Sequence, residues 1–167
     1  MMFTCTYTDT EAVLKEYYYK VKMRRGQVLA WVGVALSLGC LVFFFMSWQF
    51  WDLIVPVLGG YYVISQFLAP AQAVKKELKQ LDYQHDGNRP EKVCTVDDLG
   101  VTCRLHNEEK SIAFADALAV YELKMSIVVA SIDSAIVLDK GGFADGQMEA
   151  CLAHIKKSCP NCPHYKR

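Results

Sequence analysis

Between Gly26 and Val74 the chain carries one charged side chain, Asp52, and this apolar stretch separates two segments whose hydrophobic positions follow other periods. The runs Gly26 to Trp51 and Leu53 to Val74 each reach the length needed to cross a bilayer core, for which about 20 apolar residues suffice. Pro56 falls in the first turn of the second run, where a missing N–H is harmless, and Pro70 is expected to end or kink that helix. Trp48 and Trp51 beside Asp52 suit a turn at the headgroup level. The pattern predicts a two-helix transmembrane hairpin over 26–74, with spans at about 28–50 and 53–73.

Before the hairpin, over 1–25, Phe3 to Tyr7 reads as a short strand, and Thr8 with Glu11 has capping-box spacing for a juxtamembrane helix running through Tyr17 to Tyr19. So short a strand needs partners, and it is expected to pair with the sheet that follows the hairpin. A basic and polar linker occupies 75–90. From Glu91 the period becomes two: Val101, Cys103 and Leu105 face one way, and Thr102, Arg104 and His106 the other. Asp97 to Gly100 form a turn back to Lys92–Val96, and Asn107 to Lys110 turn into Ser111–Phe114. Leu118–Leu123, Ser126–Ile132 and Ala135–Leu138 add further strands. Past Gly141 and Gly142, Met148, Cys151, Leu152 and Ile155 mark one face of a closing helix. The fold class expected is membrane α+β, with a small antiparallel β-barrel or sandwich capped by a C-terminal helix over 91–158 and a tail over 159–167.

Charge sets the expected orientation. Lys20, Lys22, Arg24 and Arg25 precede the first run, Lys75, Lys76 and Lys79 follow the second, and the turn between has neither Lys nor Arg. The expectation is a multi-pass protein of the cell (inner) membrane with both termini cytoplasmic, the lipid bilayer as a partner, and Lys22, Arg24, Arg25, Trp48, Trp51, Lys75 and Lys76 at the membrane interface. Seven cysteines, an odd number, suit reduced intracellular thiols better than a secreted disulfide framework. Residues 89–167 hold 10 Lys or Arg against 11 Asp or Glu, a formal charge of 10 − 11 = −1, which gives nucleic acid no basic footprint.

Candidate chemistry gathers near the end of the chain, in Cys151, His154, Cys159, Cys162 and His164. Two thiols two residues apart can share a zinc ion, and Cys151 with His154 lies on one side of a helix. The spacing matches no standard zinc module, and Cys151 also belongs to the apolar face, so neither a metal nor another cofactor is expected. The same cysteines admit a redox reading, opposed by Pro163 and the nearby chain end. No nucleophile elbow or phosphate loop occurs, which excludes the common enzyme classes.

The order of short strand, helix, two-span hairpin, basic linker, strands and final helix resembles the YcxB-like family of bacterial membrane proteins. Its nearest local echo is Ala135-Ile136-Val137-Leu138-Asp139-Lys140-Gly141-Gly142-Phe143. Phe114 stands where that family often has Trp, and Asp139 replaces its usual Pro. The resemblance implies a pleckstrin-homology-like C-terminal domain and supplies no catalytic residues. The function expected is a membrane-anchored, non-catalytic cytoplasmic module that binds a protein partner, a second copy of the chain included. The alternatives are a metal or redox sensor through the C-terminal cysteines and a toxin-immunity protein.

Overall fold

The structure, a computed structural model, describes residues 2–47, 54–84, 89–106, 108–160 and 162–166. Its elements run β1 (Phe3–Tyr7), α1 (Glu11–Tyr17), α2 (Arg24–Ser47), α3 (Ile54–Gln84), β2 (Lys92–Val96), β3 (Gly100–Leu105), β4 (Glu108–Ala113), β5 (Ala119–Glu122), β6 (Ser126–Ala130), β7 (Ala135–Asp139), α4 (Gln147–Ser158) and β8 (His164–Lys166). One compact unit comprises Met1–Tyr17 and Leu78–Arg167, and the other Tyr18–Glu77.

In the first unit the period-two segments form two sheets, in the orders β1-β2-β3-β4 and β7-β6-β5-β8. As expected, β1 pairs with β2, antiparallel, with Cys5 opposite Cys94, although the helices lie between the two strands in sequence. The β2–β3 hairpin turns where the polar run predicts. Asp97 Oδ1 accepts from the backbone N–H groups of Leu99 and Gly100, each at 2.8 Å. Glu108 to Lys110, expected in a turn, belong to β4 instead, because the chain reverses at His106, whose φ of 52° is left-handed.

Alternate side chains of both sheets bury Phe3, Cys5, Val96, Val101, Ile127 and Leu138 in a common core, closed by Cys151 and Ile155 of α4. The Tyr7 hydroxyl donates to the Val137 carbonyl and so ties the sheets together. Gly142 packs on β1: a Cβ there would lie 2.6 Å from the Thr6 carbonyl oxygen and 2.9 Å from Cys5 Sγ. Thr10 caps α1 through its Oγ1, which accepts from the Val13 N–H at 3.3 Å. The N-cap is thus Thr10 where Thr8 was expected, and Asp9 between them turns inward to pair with Lys92. Glu16 fixes α1 to the β5–β6 turn by accepting from the backbone N–H groups of Lys124 and Met125, each at 2.9 Å.

Two parts of the expected fold class are corrected. The sheets stay open and no barrel closes: β8 joins β5 in parallel and makes its sheet mixed. The transmembrane hairpin is corrected too. Among the described residues no single helix is long and apolar enough to cross a membrane. Gly26–Val42 meets that test only when joined to Glu11–Lys22, by length and composition alone. The expectation rested on the absence of charge over 26–74, whereas a span also needs unbroken apolar length. In α3 that length is interrupted by Gly59, Gly60, Ser65 and Gln66. The inner-membrane, multi-pass localisation with both termini cytoplasmic falls with it.

In the second unit α2 and α3 pack side by side. Trp31 meets Phe67 edge to face at 5.8 Å, and Ser37 stands against Gly59, so the helices run antiparallel. Pro70 neither ends nor breaks α3, which continues to Gln84 through much of the expected linker. Pro70 is fully buried, and its packing offsets the one hydrogen bond that the ring removes. The turn at Trp48, Trp51 and Asp52 lies outside the described residues.

Candidate functional site

Helix α4 and the segment after it set Cys151, Cys159 and Cys162 into the core, while His154 is half-buried and His164 is exposed. Cys151 projects from the buried face of α4, and burial pushes its thiol up to about 11. Cys159 and Cys162, expected on a tail, are buried as well. Burial, with the neighbouring Cys162 as a smaller cause, lifts Cys159 to about 11, and burial raises Cys162. Metal binding and redox attack both need thiolates, and these surroundings favour the protonated thiols.

The two histidines are engaged elsewhere. His154 Nε2–H donates to the Asp97 carbonyl at 3.0 Å, and the ring lies 5.6 Å from that of Phe3 and 6.3 Å from that of Phe114. His164 Nε2–H donates to the Cys159 carbonyl at 3.1 Å. Each ring thus spends its Nε2 on a backbone carbonyl. Among the described residues no three His, Cys, Asp or Glu side chains sit together in a way that could hold a metal ion.

The cations expected at a membrane interface have other surroundings. Lys22 Nζ lies 3.2 Å from the Tyr18 hydroxyl and 4.6 Å from the centre of that ring, and the hydroxyl donates to Glu77 Oε2 at 2.6 Å. Lys75 and Lys76 are exposed on α3. Trp48, Trp51 and the side chains of Arg24 and Arg25 lie outside the described residues.

A different pair of cysteines emerges from strand register. Cys5, Cys94 and Cys103 stand in a row across β1, β2 and β3, and the Cys94 and Cys103 sulfurs are joined as a disulfide, with Cα atoms 4.0 Å apart. Reduced thiols were the expectation, and this pair departs from it while Cys5, Cys40, Cys151, Cys159 and Cys162 are free thiols. Cys94 is fully buried, whereas Cys103 is half-buried. Beyond Cys103 in the row comes Lys110 of β4, which is exposed. Directly opposed residues project from the same face of a sheet, so the row runs from the core at Cys5 to solvent at Lys110. Burial above all, then the Asp139 carboxylate, pushes Cys5 up to about 12, and its Sγ–H donates to the Asp139 carbonyl at 3.2 Å.

The signal for this pair lay in the sequence. A four-residue turn at 97–100 sets Val96 against Val101, which two residues outward on each strand sets Cys94 against Cys103.

No protein-family model matches the chain, and no curated protein matches it.

Proposed function

We propose that the chain is a non-catalytic interaction protein whose partner is another protein, docked on the apolar surface that α2 and α3 leave exposed. The observation that carries this reading is the number of large apolar side chains facing outward from the two helices. Leu36 of α2 is 65% exposed, and Leu58 and Tyr61 of α3 are 63% and 75% exposed. Val28 and Leu29 of α2 and Ile64 of α3 are exposed on the same two helices. Contiguous apolar surface beyond a few hundred Å² marks an interaction site, and docking a partner removes it from water at a gain of about 25 cal/mol per Å². The balance of 18 Lys and Arg against 18 Asp and Glu leaves no excess charge to draw nucleic acid.

The test is in-cell crosslinking and affinity capture with the full chain and with a Leu36→Glu, Leu58→Glu double variant, its sheet content verified by circular dichroism. A protein recovered in near-stoichiometric amount with the parent chain, and depleted about tenfold or more with the variant, is the expected result. Equal recovery by both forms overturns the reading. So does a purified chain that partitions into phosphatidylcholine–phosphatidylglycerol vesicles while capture returns no protein.

A further inference from the structure

We propose that Cys94 and Cys103 form a reversible thiol–disulfide site, oxidised and reduced by exchange with small-molecule thiols, in which Cys103 is the sulfur that reacts with the incoming reagent. Three features of the first unit place it there. The hairpin turn at Asp97–Gly100 fixes the register that sets the two side chains opposite each other, so no strand movement is needed to join them. Accessibility is one-sided: Cys94 is fully buried between β1 and β3, while Cys103 is half-buried where the core opens to solvent. Lys110 stands directly opposite Cys103 in the β3–β4 register, so a cationic side chain shares the sheet face of the accessible sulfur, one strand further from the buried one.

The chemistry runs in two exchanges. In the oxidising direction Cys103 loses its proton, and its thiolate attacks one sulfur of a small disulfide R–S–S–R. That S–S bond breaks, a mixed disulfide forms on Cys103, and one R–S⁻ leaves to take up a proton. Cys94 then gives its proton to solvent and attacks Cys103 Sγ, which expels the second R–S⁻. The sum is two protein thiols plus R–S–S–R giving the protein disulfide plus two R–SH, with two electrons passing to the small disulfide. Reduction is the reverse, opened by R–S⁻ at Cys103. Thiolate fraction governs such rates, and a neighbouring cation raises it. The other cysteines of this unit are set apart by the same logic. Cys5, Cys151, Cys159 and Cys162 are buried thiols whose surroundings favour the neutral form.

The experiment uses the full chain, equilibrated in glutathione buffers of graded oxidised-to-reduced ratio, acid-quenched, alkylated, digested and analysed by mass spectrometry. The peptide linked through Cys94 and Cys103 should pass from a tenth to nine-tenths of the material as the ratio of oxidised glutathione to the square of the reduced form rises about eightyfold, as for one two-electron couple. A Lys110→Gln variant keeps both sulfurs in place. It should oxidise about two- to threefold more slowly at pH 7.5, the loss of thiolate being partly offset by the higher nucleophilicity of a more basic sulfur. A pair that stays reduced over the whole range overturns the proposal, and so does one that stays oxidised throughout, which is a fixed crosslink. Oxidation that joins Cys159 to Cys162 instead also overturns it. An unchanged rate in Lys110→Gln removes Lys110 from the site.

Discussion

Replacing Lys92 by Met breaks an ion pair on which the junction of β1, α1 and β2 rests. Lys92 Nζ lies 2.5 Å from Asp9 Oδ2, and the Asp9 side chain is only 5% exposed. Arg89 approaches as well, its Nη1 3.4 Å from the Asp9 backbone carbonyl while its other nitrogens hold Asp82. Deleting one partner of a buried pair costs about 3–5 kcal/mol, because the other charge stays in place without compensation. The Lys92 side chain is 21% exposed, so water can reach the vacated position, which lowers the expectation to about 2–3 kcal/mol. The Glu11–Lys15 pair, at 2.7 Å and about half exposed on both sides, serves as the control, and Lys15→Met should cost about 0.3–0.5 kcal/mol. Because the chain divides into two units, a global melt would mix their transitions. Native-state hydrogen exchange of the β1 and β2 amides reports the pair directly and should accelerate about 30- to 150-fold in Lys92→Met. An Asp9→Ala, Lys92→Met double variant should recover about half of the loss or more, since no lone charge is left buried. Additive losses in the double variant, or a Lys92→Met effect no larger than that of Lys15→Met, would refute the reasoning.

Two further outcomes follow from burial in the core. Free thiols ionise near 9.0, whereas Cys5 holds its proton to about 12 and Cys151 to about 11. Above pH 9 the native state therefore binds more protons than the unfolded state. Stability is full below pH 9 and falls as pH rises toward 11–12. Urea midpoints taken at pH 7, 9 and 10.5 should show this decline, and a Cys5→Ala, Cys151→Ala variant should flatten it; equal slopes would exclude the thiols as its source. Gly142→Ala should destabilise the first unit by about 1–3 kcal/mol, because its Cβ would press on the Thr6 carbonyl and Cys5 Sγ. Gly141→Ala, whose Cβ would meet only Asp139 Oδ1 at 3.6 Å, should leave the exchange protection of the β1 amides unchanged, and equal losses of protection for the two variants would contradict the packing described.

Strands were legible wherever alternation was clean. The segments of β2, β3, β5, β6 and β7 fall within a few residues of where the period-two pattern puts them, and α4 follows from its apolar spacing. The pairing of β1 with β2 was legible from the need of a short strand for partners. β8 was not, because His164, Tyr165 and Lys166 are all exposed and carry no alternation. Its place comes from parallel pairing with β5, reinforced by the Val120 N–H donating to the Pro163 carbonyl at 3.1 Å. Pro163, read as a sign of a tail, is thus part of the attachment. The same return of the chain buries Cys159 and Cys162, which tertiary packing decides and local sequence cannot show. Over α2 and α3, freedom from charge revealed helices and did not determine what covers them. For the Cys94–Cys103 pair the signal is the length of the turn at 97–100, which sets the register and so places the two sulfurs opposite each other.

The pairing of β1 with β2 also orders events during synthesis. Tyr7 meets Lys92, so 92 − 7 = 85 residues must be added after the strand before its partner exists. At a bacterial or eukaryotic elongation rate of about 5–20 residues per second, that is a wait of about 4–17 s. Through that interval Phe3, Cys5 and Tyr7 have no sheet to enter, while both long helices are being made. A nascent chain arrested before residue 92 should therefore leave Cys5 open to a thiol reagent that the finished protein excludes, and anything that sequesters the first strand acts on a sheet encoded far downstream.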